Sequence, residues 1–404
     1  MDGKQKSRCG RFSSTHWYNN TFRSVFFAIT LSVFCVTMFL FSTVFSGYYD
    51  YVMLTVRHIS QEKIPSIIAH EKANHSMKTI YLHTSPFYWN SINFDGCEEN
   101  RCELITKPGS LNSSDCVVFH FKVNMDNKNI PSKPRGQVWV FYAREAPPRT
   151  LTYPHWHNLV NWTFTLRRDS DFLMPYGRLF QRPKPVSLDF SKIIQRKSKG
   201  VAAMIGNCHT ESLRDQYINL FEQYREVDIY GSCGKGSVNI SQRHSLLNET
   251  YKYYLSFENS LCRDYITEKA FDMYSFVTVP IVRGGALYDL YFPPGSYINT
   301  NDFSTVKELA DHLKFLDSNP EAYSSYFKSR NYFGSKLFTK NKLSENNILC
   351  DLCKRLHNPK KYVRLYNNFQ TWWNSEDIKK LHPSKFDAAW KNYTVHCKPP
   401  TDLH

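Results

Sequence analysis

The sequence predicts an α/β protein of two Rossmann-like domains behind one membrane anchor. Short apolar runs alternate with polar turns and helical spacing through both halves of the chain, a stretch of prolines and bases divides those halves, and residues 25–45 carry no charge. The length of 404 residues, with 42% hydrophobic and 16% aromatic content, has room for about two folded domains and excludes a mainly disordered chain.

The uncharged run Val25–Phe45 is long enough to cross a hydrocarbon layer of about 30 Å and longer than the core of a cleaved signal. Lys4, Lys6, Arg8, Arg11 and Arg23 precede it against Asp2, whereas only Arg57 and Lys63 follow closely. The expected arrangement is a cytosolic tail (1–24), a signal-anchor helix (25–45), a stem (46–77) and a luminal remainder. The net charge of +15 then has no nucleic acid to meet, and no stretch interleaves bases with aromatics as a nucleic-acid groove does. A positive field suits anionic ligands and membrane surfaces, although a solvated basic surface accounts for much of it. Sequons at Asn74, Asn112, Asn161, Asn239, Asn248 and Asn392 fit a glycosylated secretory-pathway chain, with Asn161 set among apolar neighbours.

In the first domain (78–185), Thr79–Leu82, Cys116–Phe121 and Gln137–Tyr142 read as strands. The third leads into A-R-E-A-P-P, which places Glu145 just past a strand end. Asp169 and Asp171 form a D-x-D element of the kind that holds manganese in some sugar transferases; lying in the first domain, they read better as ion-pair or cleft residues beside Arg167 and Arg168. Residues 178–199, rich in prolines and bases, read as a linker.

The second domain (186–358) opens with a strand Gly200–Ile205, a helix Ser212–Tyr224 with Arg214 in its first turn, and a strand Val227–Tyr230. Cys208 and Cys233 follow those two strands and are bridge candidates if the strands are neighbours. The central stretch then runs from Tyr253–Phe257 through the turn Glu258-Asn259-Ser260 to a helix capped by Thr267, and on to a strand including Val277 and Val282. A helix start of this kind, with Lys269 in its first turn, can hold a diphosphate. A plain βαβ crossover with a surface lysine fits the same pattern. Tyr297–Asn299 reads as a strand. Phe303, Val306, Leu309, Leu313 and Leu316 are spaced for one helical face, and 323–333 for a second helix.

The run F-E-N-S followed by D-Y-I-T-E-K, together with N-W-T-F-T-L-R-R-D-S-D-F-L-M-P-Y-G, closely resembles the signatures of the α1,3-fucosyltransferases of glycosyltransferase family 10, and the resemblance extends from about 78 to 358. It implies the two-domain GT-B arrangement, a Golgi type II membrane protein, and inverting transfer of L-fucose from GDP-fucose to the 3-hydroxyl of N-acetylglucosamine in a glycan. It assigns the catalytic base to Glu145, with Ala146 standing where the family has serine. It assigns donor binding to Arg214, Tyr254, Asn259, Tyr265, Glu268 and Lys269. No cofactor is implied; a divalent metal such as manganese would at most stimulate. The family's cysteine pairs imply two bridges between Cys97 or Cys102 and Cys350 or Cys353, partner choice open. Cys397 and the tail 359–404 lie beyond the resemblance. Two alternatives remain: a glycan-binding protein that has kept the fold without turnover, and a related transferase with another donor.

Overall fold

The computed structural model describes residues 76–83, 94–120, 131–150, 156–338, 348–374 and 397–404. The chain divides into two units, 1–74 and 75–404, and every described residue belongs to the second. The cytosolic tail, the anchor and the stem as far as residue 75, with Asn74 and Asn392, lie outside the described residues. Among those that are described, no helix is long and apolar enough to cross a membrane.

Strands β1 (Lys78–Leu82), β2 (Cys102–Ile105), β3 (Cys116–His120), β4 (Val138–Ala143), β5 (Trp162–Thr165) and β6 (Phe172–Leu173) form an all-parallel sheet in the order 2-1-3-4-5-6. Buried aromatic and β-branched runs suit such strands, since parallel sheets are covered on both faces. The expected linker is itself structured. It holds β7 (Gly177–Gln181) and helix α1 (Ser191–Arg196), because its prolines cluster between these elements and leave each backbone intact.

The second sheet contains β8 (Lys199–Met204), β9 (Val227–Tyr230), β10 (Tyr251–Phe257), β11 (Val279–Arg283) and β12 (Ile298–Asn299), parallel throughout in the order β12-β11-β10-β8-β9. Helices α2 (Arg214–Phe221), α3 (Ile240–Ser245), α4 (Glu268–Phe271), α5 (Val306–Ser318) and α6 (Pro320–Ser325) belong to this half. On α5, Thr305 caps the N-terminus by accepting from the Glu308 amide at 3.2 Å, and Val306, Leu309, Leu313 and Leu316 pack against the sheet with Tyr217 and Phe221 of α2. Each such buried leucine contributes roughly 1.5–3 kcal/mol. The expected second aromatic helix is shorter: after α6 a single 3-10 turn, Lys328–Asn331, leads into β13 (Phe333–Leu337), which pairs antiparallel with β7.

The chain then returns to the first sheet. Helix α7 (Ile348–Leu356) packs Leu349, Leu352 and Leu356 against the face carrying Ile80, Val118 and Val140, while α8 (Phe369–Asn374) places Phe369 and Trp373 on the face carrying Val117, Trp139 and Phe141. The period of two along each strand supplies both faces. A boundary at 358 therefore does not separate donor domain from tail, since α7 and α8 both complete the first domain.

Disulfides join Cys97 to Cys350, Cys102 to Cys353, Cys208 to Cys233 and Cys262 to Cys397. Cys116, in the middle of the first sheet, is a free thiol whose pKa burial pushes far up, so the nine cysteines among the described residues form four bridges and one core residue. The first two bridges staple α7 to the edge of the first sheet across sequence separations of 253 and 251. Cys97→Ser with Cys350→Ser is expected to cost only about 2–3 kcal/mol, because the remaining bridge still closes the long loop; losing both bridges should cost about 5 kcal/mol more in the chain-entropy model. Denaturant titration of the single-bridge and double-bridge variants checks this ordering. Equal losses would show that loop closure is not the source.

Candidate active site

Both sheets reverse their strand order beside their first strand, and in open parallel sheets ligands bind outside the carboxyl ends at such a point. In the second sheet it falls between β8 and β10. Arg214, the first residue of α2, is buried there: its Nη1 donates to Phe257 O at 2.9 Å and its Nη2 to Asn207 O at 2.8 Å, tying together the loops that leave these two strands. The Arg214 pKa is lowered by burial, against the pull of Glu258, and its Nε has no hydrogen-bond partner. Leu213 just before it has φ 48°, a left-handed conformation unfavourable for a branched side chain.

Glu258 follows β10 and is fully buried. Its carboxylate accepts from Thr267 N at 2.8 Å, from Thr267 Oγ1 at 2.8 Å and from Lys269 Nζ at 3.3 Å, while Lys269 Nζ also donates to Thr267 Oγ1 at 2.9 Å. Burial raises the Glu258 pKa and Lys269 opposes that rise; on Lys269, burial works against the charge, but Glu258 and Glu268 keep its pKa raised. The start of α4, expected to receive an external anion, thus already has an internal carboxylate on the amide and hydroxyl of its N-cap, Thr267. Lys269 remains as the cation of this turn, with the half-exposed Glu268 3.8 Å away. Glu258 was not among the residues singled out from sequence, although F-E-N-S contains it; a glutamate directly after a buried strand was the available signal.

Glu145 lies just past β4 in the first domain, with its side chain 30% exposed. The hydroxyl of Tyr265, a buried residue of the loop before α4, donates to Glu145 Oε2 at 3.0 Å. Burial, and then the Glu145 charge, raise the Tyr265 pKa far up, so the phenol stays a donor. The preceding Asp264, at φ 60°, accepts from Arg168 N at 3.2 Å and pairs with the Arg168 guanidinium at 3.4 Å, so the D-Y-I-T-E-K loop is fixed to the first domain at Asp264 as well as at Tyr265. Arg149 joins the same group, 3.9 Å from Glu145 and 3.4 Å from Glu211. Its place one helical turn beyond Glu145 was the sequence signal for it.

The remaining candidates separate. Tyr254 is buried among Leu247, Met273 and Phe276, close enough to Lys269 and Glu268 for their charges to act on it. The Asn259 carbonyl accepts from Ser212 N at 2.9 Å. Asp169 is held by Arg167 at 2.5 Å; Asp171 accepts from Thr163 N, Thr163 Oγ1 and Tyr366, and pairs with Arg364 at 2.7 Å. These two carboxylates are occupied by cations and donors within the first domain. Asn112 and Asn239 are exposed, the latter as the N-cap of α3, whereas Asn161 spends its amide nitrogen on Arg364 O at 2.9 Å and Asn248 accepts from Val277 N. Cys102, Cys353 and His357 lie close together, but the two sulfurs are bonded to each other and offer no thiolate.

Two family models match the chain: "Fucosyltransferase, N-terminal" over residues 75–177 and "Glycosyltransferase family 10 (fucosyltransferase) C-term" over residues 194–372. The chain is 32% identical over 345 residues to alpha-(1,3)-fucosyltransferase C of Drosophila melanogaster, covering 75% of this chain and 79% of that one. It is 34% identical over 281 residues to 4-galactosyl-N-acetylglucosaminide 3-alpha-L-fucosyltransferase 9 of Mus musculus, covering 68% and 75%. A crystal structure of an alpha1,3-fucosyltransferase with GDP superposes with a TM-score of 0.48 at 18% identity, covering 72% of this chain and 92% of that one.

Proposed function

Since the chain belongs to glycosyltransferase family 10, the fucosyltransferases, we propose that it transfers L-fucose from GDP-β-L-fucose to the 3-hydroxyl of N-acetylglucosamine in a protein- or lipid-linked glycan, with inversion at the anomeric carbon. The observation that carries this reading is the meeting of Glu145 with the Tyr265 loop at the carboxyl ends of two parallel sheets. It puts a carboxylate of one domain beside the cationic turn of the other.

The acceptor occupies the first domain and the donor the second. Glu145 takes the proton from the attacking hydroxyl, and the Tyr265 phenol fixes the orientation of its carboxylate. Lys269 balances the charge that develops on the departing GDP. Arg214 holds the ends of β8 and β10 together so that this turn keeps its shape, with the unpartnered Nε left over for an anion. A single displacement needs one base and no protein nucleophile, as in inverting sugar transfer generally. Residues 25–45 anchor the protein in the Golgi membrane with the catalytic part in the lumen, exposed Asn112 and Asn239 being the sequons most open to modification.

Transfer requires no divalent ion. The luminal part, from about residue 77, is expected to transfer fucose from GDP-fucose to N-acetylglucosamine-containing glycans in excess chelator, with manganese raising the rate at most modestly. Complete loss in chelator that manganese restores would overturn this. An array of defined glycans with GDP-fucose, and with other nucleotide sugars as competitors, tests the donor and finds the acceptor. Absence of turnover with retained glycan binding would favour a non-catalytic role.

A further inference from the structure

The segment Cys397–His404 lies across the second domain instead of following α8 on the first. It is bonded through Cys397 to Cys262, and Lys398 N donates to Leu261 O at 2.8 Å. Leu403 packs against the core of the second sheet, and His404 O accepts from Val306 N at 3.1 Å. Between these fixings Asp402 meets Arg283, the last residue of β11, in a two-pronged ion pair: Nε to Oδ2 and Nη2 to Oδ1, both 2.7 Å. The guanidinium is buried, stacked 4.7 Å over the Tyr217 ring, and its Nη1 donates to Ser212 O at 2.8 Å. Ser212 in turn donates from Oγ to Glu258 O at 2.7 Å and from N to Asn259 O at 2.9 Å. The Arg283 carbonyl closes the ring by accepting from Glu258 N at 3.0 Å.

We propose that Asp402 is a positioning residue of the donor site, acting through Arg283 and Ser212 on the turn Glu258–Asn259. A planar guanidinium held by a two-pronged carboxylate has one orientation, so its remaining N–H aims at one place. That place is the carbonyl of the residue whose amide and hydroxyl set the two carbonyls of the turn. Asp402 therefore fixes where Glu258, and through it Lys269, stand, without touching the donor itself. Fixing a binding turn to within a fraction of an ångström is worth a large factor in rate and affinity. This inference rests on the reading that GDP binds at this turn.

The test is calorimetric GDP binding and steady-state transfer with full-length protein. Asp402→Asn keeps the shape and loses the charge; it is expected to raise the GDP Kd and donor KM about tenfold or more, with the acceptor KM unchanged. Asp402→Glu should restore most of the loss, and if the asparagine variant fails to fold, this variant carries the same readout as a smaller rise in donor KM. Lys398→Gln, which removes a contact of the same segment to Asn301 and a nearby charge that favours the Asp402 carboxylate but leaves the two-pronged pair in place, should raise the GDP Kd far less than Asp402→Asn does. A folded Asp402→Asn protein with a lowered Tm and wild-type GDP affinity would overturn the proposal and leave the segment a stability element. Failure of the wild type to bind GDP would instead bring down the donor-site reading itself.

Discussion

Glu145→Gln is expected to lower fucose transfer by about a hundredfold or more while leaving GDP affinity nearly unchanged. The amide retains an oxygen for the Tyr265 hydroxyl, now at 3.0 Å, so the contact between the two domains survives while the proton acceptor is lost. GDP affinity is the control, since the carboxylate belongs to the first domain and Lys269 to the second. Near-normal transfer by a folded variant would put the base elsewhere. Asp169 and Asp171 would be poor substitutes, held as they are by Arg167 and Arg364. A variant that lost GDP binding as well would make Glu145 structural.

Lys269→Ala should remove about 2–4 kcal/mol of transition-state stabilisation and weaken GDP binding. A second effect comes with it. Glu258 is fully buried, and losing its cation leaves an unpaired carboxylate whose cost is about 3–5 kcal/mol of stability. The two effects separate in the double variant Glu258→Gln with Lys269→Met, which removes both charges and keeps the volume. Thermal unfolding should return most of the way toward the wild-type value while transfer stays slow. Recovery of transfer in that variant would mean that the lysine serves only to neutralise Glu258.

What could be read from the sequence follows from what is local. The strands β4, β8, β9 and β10 are apolar or aromatic runs ended by polar turns, and each starts or ends within two residues of its expected place. Thr267 as a cap is likewise local chemistry, fixed by a hydroxyl and an amide two residues on. β2, C-E-L-I, escaped because half its residues are only partly buried at the sheet edge, and β6 because two residues carry no period. The bridge of Cys262 to Cys397 and the return of α7 and α8 to the first sheet join residues far apart in the chain, and periodicity holds no distance information of that kind. Within the site, Lys269 was marked by its place in a capped helix start, whereas the roles of Glu145 and Tyr265 came through a resemblance. Pattern alone does not reveal that the helix start already holds Glu258, or that Arg214 spends both terminal nitrogens on backbone carbonyls.

The return of the chain to its first sheet sets an order of events during synthesis. β1 and β3–β5 leave the ribosome early, yet the helices that dry their two faces come from residues 348–374, after the whole second domain. A nascent chain therefore carries a sheet whose two faces lack Leu349, Leu352, Phe369 and Trp373 until the second domain has been made. Non-local pairing of this kind is slow and exposes aggregation-prone surface. Until α7 arrives, Cys97 and Cys102 remain without their partners. Holding these thiols reduced and apart through that interval is a task for the folding machinery, and the appearance of the Cys97–Cys350 and Cys102–Cys353 bonds marks its end.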